Sequence, residues 1–277
     1  FDVATAGAIN RFAFYICIPA LGFRLITNAP LEEFDPLLLA GFLATEIVMY
    51  GSGYVIGRFM FKTSRREAIL LGLACALTNH ILFVLPIAIN LFGEEAAAPI
   101  VAIITMDSIL LFSATSMTMD IIIHKDKSIF HLLGKIARNP PVVAMGSGLI
   151  VALAGFDVPS NIDLFLKFAG SAAAPCALFA LGVILSQKQE AGRAMLPVSL
   201  TVLKLVVHPA LAWLILITLF GLPETISTPA MMVAAAPCGA MAFVLALNYQ
   251  VRVDAIARAI LYSSIGSLVT ITLAAAL

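Results

Sequence analysis

Two long apolar stretches, each with helix breakers near its centre, constrain this chain more than any other feature. Ala76 to Phe92 reads ALTNHILFVLPIAINLF, with Asn79 and His80 in its middle and Pro86 one to two turns later. Pro229 to Tyr249 reads PAMMVAAAPCGAMAFVLALNY and is interrupted at Pro237-Cys238-Gly239. A proline inside a helix removes one backbone hydrogen bond and clashes with the turn before it. In lipid such an interruption persists only where protein or a wet cavity satisfies the freed amides and carbonyls. Two interrupted segments at corresponding places in two halves of a chain point to a transporter binding site. Kinks that serve packing alone are the other reading. The recurrence of the pair at a repeat spacing, described below, favours the first.

The rest of the chain fits a membrane setting. It is 61% hydrophobic and 12% charged, with mean hydropathy +1.05, against about 25% charged residues in soluble domains. A span needs roughly 20 apolar residues. Nine candidates follow, at about 8–26, 37–59, 68–92, 98–123, 140–156, 162–186, 194–220, 229–249 and 255–277. Cys17, Cys75, Cys176 and Cys238 lie in apolar segments without metal-ligand or CxxC spacing, so they read as small buried residues. No cofactor motif, metal motif, soluble domain or nucleic-acid patch is present in the sequence.

Charge is sorted by loop. Arg58, Lys62, Arg65 and Arg66 follow the second span; Lys125, Lys127, Lys135 and Arg138 follow the fourth. Lys188 and Arg193 follow the sixth, and Arg252 and Arg258 bracket the turn after the eighth. The alternate loops carry Glu32, Glu33 and Asp35, then Glu94 and Glu95, Asp157 and Asp163, and Glu224. Basic loops face the cytoplasm by the positive-inside rule, which places the C-terminus outside.

A shift of 156 residues aligns Phe12-Ala13 with Phe168-Ala169, Pro19 with Pro175 and Phe23 with Phe179. A shift of 158 aligns Ala88 with Ala246, Asn90 with Asn248, Asn79 with Pro237 and Glu46 with Lys204. Under these shifts acidic loops fall on basic ones, so corresponding loops lie on opposite sides, as an inverted repeat requires. Five spans fall in the second repeat and four in the first, so the reading expects one further helix before Phe1 in the intact protein.

NRFAFYICIPALGFR (10–24), TNHILFVLP (78–86), KLVVHP (204–209) and AAAPCGAMAFVLALNY (234–249) resemble the auxin efflux carrier family, in the bacterial branch that includes malonate transporters. The resemblance implies an all-α polytopic fold with two inverted five-helix repeats, ten helices when intact and nine here, and two crossed broken helices at 68–92 and 229–249. Residues 1–123 would form the first repeat without its first helix, 124–139 a cytoplasmic loop and 140–277 the second repeat. It also implies a scaffold (1–36 and 140–190), a transport domain (37–123 and 191–277) and a homodimer. The family's broken helix carries glycines between its asparagine and proline. Here Ile81 and Val84 stand there, which leaves the break at either Asn79-His80 or Pro86.

Ionisable residues within apolar spans are functional candidates by default, and here they are Glu46, His80, Asp107, Lys204 and His208. Lys204 and His208 are four apart and share a helix face, so they can present donors to an anion; alternatively Lys204 pairs with Glu46. Asp107 and Glu46 are candidate proton carriers, with a satisfied structural acid as the other reading for Asp107. Asn79, His80, Pro86, Pro237, Cys238 and Gly239 complete the expected substrate site, Gly239 by letting backbone approach the ligand. Gly53 and Gly57 form a GxxxG spacing near Gly51, which close helix packing explains.

The expected function is secondary transport of a small organic anion, malonate or a related carboxylate, across a bacterial inner membrane by alternating access with possible proton coupling. An anion channel or facilitator and an efflux carrier for an aromatic carboxylate such as auxin are the alternatives. An enzyme is disfavoured, because the sequence contains no HExxH motif and no triad-like arrangement.

Overall fold

Local capping chemistry sets several helix starts. Asp2 accepts from the amide of Thr5, Asp35 from those of Leu37 and Leu38 with Pro36 at the first helical position, and Ser64 from that of Glu67. Each satisfies amides that an opening turn leaves unpaired. The computed structural model describes residues 1–123, 134, 137–186 and 193–276. Most of the expected 124–139 loop, with Lys125, Lys127 and Lys135, and also Lys188, lies outside the described residues.

In chain order the helices are α1 (Val3–Thr27), α2 (Pro36–Met60), α3 (Arg65–Ala76), α4 (80–92), α5 (Glu94–Ile123), α6 (Pro140–Leu153), α7 (Ser160–Ser186), α8 (Met195–Leu219), α9 (Glu224–Ala235), α10 (Ala240–Asn248) and α11 (Asp254–Ala275). Six of them, α1, α2, α5, α7, α8 and α11, are long and apolar enough to cross a membrane, and α6 is a shorter apolar helix. No strand occurs among the described residues. The chain is an all-helical, multi-pass membrane protein. The stretches 68–92 and 229–249 are each occupied by two helices, α3 with α4 and α9 with α10.

Burial divides the helices into two kinds. Every residue of α3 from Glu67 to Ala76 is buried, as is α9 from Pro229 to Ala235. A helix enclosed on all sides has no polar face to keep, which is why these segments are so uniformly apolar. In contrast α6 and α7 leave Ile150, Leu153, Phe165 and Phe168 exposed.

Small residues allow the close approach of α2 and α3. A Cβ on Gly53 would sit 2.9 Å from the Leu71 carbonyl oxygen, and one on Gly72 would sit 2.6 Å from that of Tyr50. A Cβ on Gly57 would meet Leu71, whereas Gly51 faces open space, so only part of the glycine cluster serves packing. Polar ties join other elements: Arg24 of α1 to Asp163 of α7 at 2.8 Å, and Arg193 before α8 to Glu67 of α3 at 3.1 Å.

Candidate functional site

Helix α3 stops at Ala76 and α4 begins at His80; α9 stops at Ala235 and α10 begins at Ala240. The two gaps meet. The amide of Asn79 donates to the Pro237 carbonyl at 3.0 Å, and the amide of Gly239 donates to that of Leu77 at 2.9 Å. These bonds flank an antiparallel bridge between Thr78 and Cys238. One shift of 160 residues carries Leu77, Thr78 and Asn79 onto Pro237, Cys238 and Gly239, and so interchanges the two bonds. That register is two residues from the 158-residue alignment of the apolar runs, in which Asn79 meets Pro237.

Gly239 is required here by the close approach of backbone. A Cβ at this position would lie 2.8 Å from the Thr78 carbonyl oxygen, so only glycine lets the two chains pair. The first gap lies at 77–79, and the chain through Pro86 is helical. Pro86 is the seventh residue of α4, next to Leu85 where the wider opening turns give way to regular α-helix, and it is exposed, away from the meeting of the gaps.

Lys204 anchors the meeting point from α8. It is fully buried, and its ammonium donates to the Ala76 carbonyl at 2.9 Å, to the hydroxyl of Thr78 and to Nδ1 of His208 at 2.9 Å. An ammonium has three N–H donors, so all are used. A cation on the last carbonyl of α3 also complements that helix's negative end. The Thr78 hydroxyl passes its own proton to the Val233 carbonyl at 3.1 Å, tying α3 to α9. With Nδ1 of His208 turned to Lys204, its Nε2 faces α2. That atom points at the Thr45 hydroxyl, 3.5 Å away, which itself donates to the Phe42 carbonyl. Lys204 therefore makes no bridge to Glu46.

The acids stand on the other side. Nε2 of His80, at the start of α4, lies 3.0 Å from Oδ2 of Asp107 on α5, a close contact without the alignment of a hydrogen bond. Glu46 of α2 lies beside Asp107. Glu46 and Asp107 are buried, and none of their four carboxylate oxygens has a hydrogen-bond donor. Asp107, which has no cation near it in sequence, thus acquires His80 through the fold.

Sequence reasoning passed over the partners supplied by α11. Ser263 accepts from the Cys238 amide at 3.1 Å, and Thr270 donates to the Ala235 carbonyl at 2.6 Å. Together they satisfy the second gap. The signal was available: Ser263, Ser267 and Thr270 recur at helical spacing along one face of an apolar helix. Asn10 of α1 was also missed as a partner of α10, donating to the Val244 carbonyl at 3.1 Å.

At the meeting point the starts of α4 and α10 lie next to each other, and neither carries a side-chain cap. Each start concentrates about half a positive charge from unpaired amides. The half-buried side chain of Asn79 makes no hydrogen bond among the described residues. Two uncapped helix starts and a half-buried amide side chain therefore lie together at the meeting point.

Comparison with known proteins agrees in kind. Residues 1–275 match a family profile described as "Membrane transport protein". The chain is 30% identical over 278 residues to a Rhizobium meliloti protein named "Putative malonate transporter", covering 96% of this chain and 85% of that one. It is 26% identical over 281 residues to an uncharacterized transporter of Methanocaldococcus jannaschii, covering 97% and 88% respectively.

Proposed function

The chain belongs to the membrane transport protein family, that of the auxin efflux carriers, and on that premise we propose that it carries a small organic anion by alternating access. The observation that carries the reading is the paired gap, where Asn79 bonds to Pro237 and Gly239 to Leu77 beside two uncapped helix starts. We read α3 with α4, and α9 with α10, as two broken transmembrane helices that cross within inverted repeats. The interchange of the two bonds by a single shift supports that reading. A carboxylate bound at the starts of α4 and α10 accepts amide hydrogen bonds, and the Asn79 side chain adds a donor. Lys204 stands one layer behind and holds the α3 end in place.

Malonate, or a related dicarboxylate, fits two helix starts with one carboxylate each, in line with the name of the Rhizobium relative. Glu46 and Asp107 are assigned the coupling role. The two buried carboxyls lie side by side without hydrogen-bond donors, and His80, the first residue of α4, contacts Asp107 of that pair. Residues 37–123 and 191–277 move as the transport domain against a scaffold of 1–36 and 140–190. The exposed apolar faces of α6 and α7 serve the bilayer and a homodimer contact. The basic loops face the cytoplasm of a bacterial cell and the C-terminus lies outside. The role is transport, not catalysis.

Binding tests the site. Malonate should raise the melting temperature of the purified protein, and Asn79→Ala should weaken binding by roughly 1–3 kcal/mol through loss of buried hydrogen bonds. Affinity within twofold of the parent protein in that variant would place the anion elsewhere.

A further inference from the structure

We propose that the cavity on the basic face is a capture site for small carboxylates, a vestibule from which the anion passes to the crossing; this rests on the carboxylate-transport reading above. The cavity has a volume of about 410 Å³ and is lined by Arg66, Asp120, Arg138, Asn139, Tyr249 and Gln250 among others. That is within the range of small-molecule sites.

Its two arginines, like Arg11 and Arg65, contrast with the paired arginines of the chain. Arg24 is paired with Asp163, Arg193 with Glu67 and Arg252 with Asp254, while Arg58 donates to the Thr63 carbonyl. Among the described residues Arg66 and Arg138 have neither an ion pair nor a side-chain hydrogen bond. An arginine fork matches a carboxylate in two parallel hydrogen bonds, so two uncommitted forks on one small cavity suit one carboxylate or a short dicarboxylate.

The wall behind them is fixed. Asn139 donates to Ser116 at 2.9 Å and to Asp120 at 2.8 Å, and the Tyr249 hydroxyl donates to the Ser116 carbonyl at 3.0 Å. This holds the acid of the cavity against an amide. Gln250 follows α10 with φ of +53°, a left-handed conformation that glycine adopts without strain. Its side chain lines this cavity and two neighbouring ones of about 990 and 440 Å³, which add Arg11, Arg65 and Arg252.

The cavity is also placed to feed the crossing. Arg66 is in the first turn of α3, whose other end is Ala76, and Asn248 ends α10, whose first residue is Ala240. The two half-helices that meet at the crossing therefore both reach the vestibule. With 12 and 9 residues at 1.5 Å each, they set it roughly 14–18 Å from the crossing.

The test is initial-rate malonate uptake in proteoliposomes of neutral lipid, for Arg66→Gln and Arg138→Gln with Arg58→Gln as a charge-matched control. Each of the first two should raise KM roughly tenfold, the scale of one charge-assisted pair, and leave the saturated rate unchanged. Arg66→Lys and Arg138→Lys should recover part of the affinity, and Arg58→Gln should match the parent's KM. Melting temperatures equal to the parent's establish that the variants fold. KM within twofold of the parent in both glutamine variants overturns the proposal. An unchanged KM with loss of stabilisation by phosphatidylglycerol vesicles assigns the arginines to lipid headgroups and also overturns it. No uptake of malonate, acetate or indole-3-acetate by the parent protein removes the transport reading itself, and the vestibule with it.

Discussion

The ammonium of Lys204 lies 2.9 Å from the carbonyl oxygen of Ala76, the last residue of α3. A residue on α8 thus decides where a helix on another part of the chain can stop. The first prediction follows. Lys204→Met keeps the length and apolar stem but leaves that buried carbonyl unpaired, at roughly 1–3 kcal/mol, and removes the contacts to Thr78 and His208. The melting temperature should fall and transport should be lost. Lys204→Arg should not rescue either, because a wider guanidinium overpacks a fully enclosed site. A variant with methionine that melts and transports like the parent would show that the α3 end is held by other groups.

The second prediction concerns the acids. Asp107 meets His80 at 3.0 Å and lies beside Glu46. Asp107→Asn should abolish malonate accumulation driven by a pH gradient while leaving malonate–malonate exchange intact, since exchange needs no net proton movement. The measurement is uptake with and without an imposed gradient. Unchanged gradient-driven accumulation would make Asp107 a structural acid.

Gly239 gives the third. Alanine there places a Cβ 2.8 Å from the Thr78 carbonyl oxygen, so the two gaps must separate and the Gly239–Leu77 bond is lost. Overpacking of this kind costs roughly 1–3 kcal/mol. Gly51→Ala, with open space around it, should be neutral or slightly stabilising. Equal melting temperatures for the two variants would argue against the close pairing.

Much of this fold could be read from residues alone, and the rest depended on contacts between distant ones. Span-length apolar runs separated by charged turns have a local cause, the thickness of the bilayer, and six of them coincide with membrane-length helices. The position of the first gap had no local cause. Ile81 and Val84 stand where glycines would mark a break, and Pro86 is a stronger local breaker than Asn79. The helix ends at Ala76 because Lys204, 128 residues later, caps it. In the same way the expected link of Lys204 to Glu46 gave way to a carbonyl, a hydroxyl and an imidazole that use all its protons. The pairing of His80 with Asp107 joins two helices whose relative rotation no periodicity specifies.

The fourth prediction probes the meeting of the gaps directly. Thr78 and Cys238 oppose each other between two flanking hydrogen bonds, a non-hydrogen-bonded antiparallel pair with Cα atoms about 4.5 Å apart. That spacing accepts a disulfide. Thr78→Cys in a Cys75→Ser background should form a bond to Cys238 under mild oxidation, detectable by mass spectrometry of the intact crosslinked peptides. Failure to crosslink in protein that still melts cooperatively would contradict the antiparallel bridge.

Alternating access itself is tested most directly by counterflow. Proteoliposomes loaded with excess unlabelled malonate and diluted into a trace of labelled malonate should accumulate label transiently above its external concentration, because a carrier returns loaded sites and a pore does not. The account predicts that overshoot, and its loss when Asn79→Ala weakens binding. Label that rises only to equilibrium, with no overshoot at any internal malonate concentration, would contradict transport by alternating access.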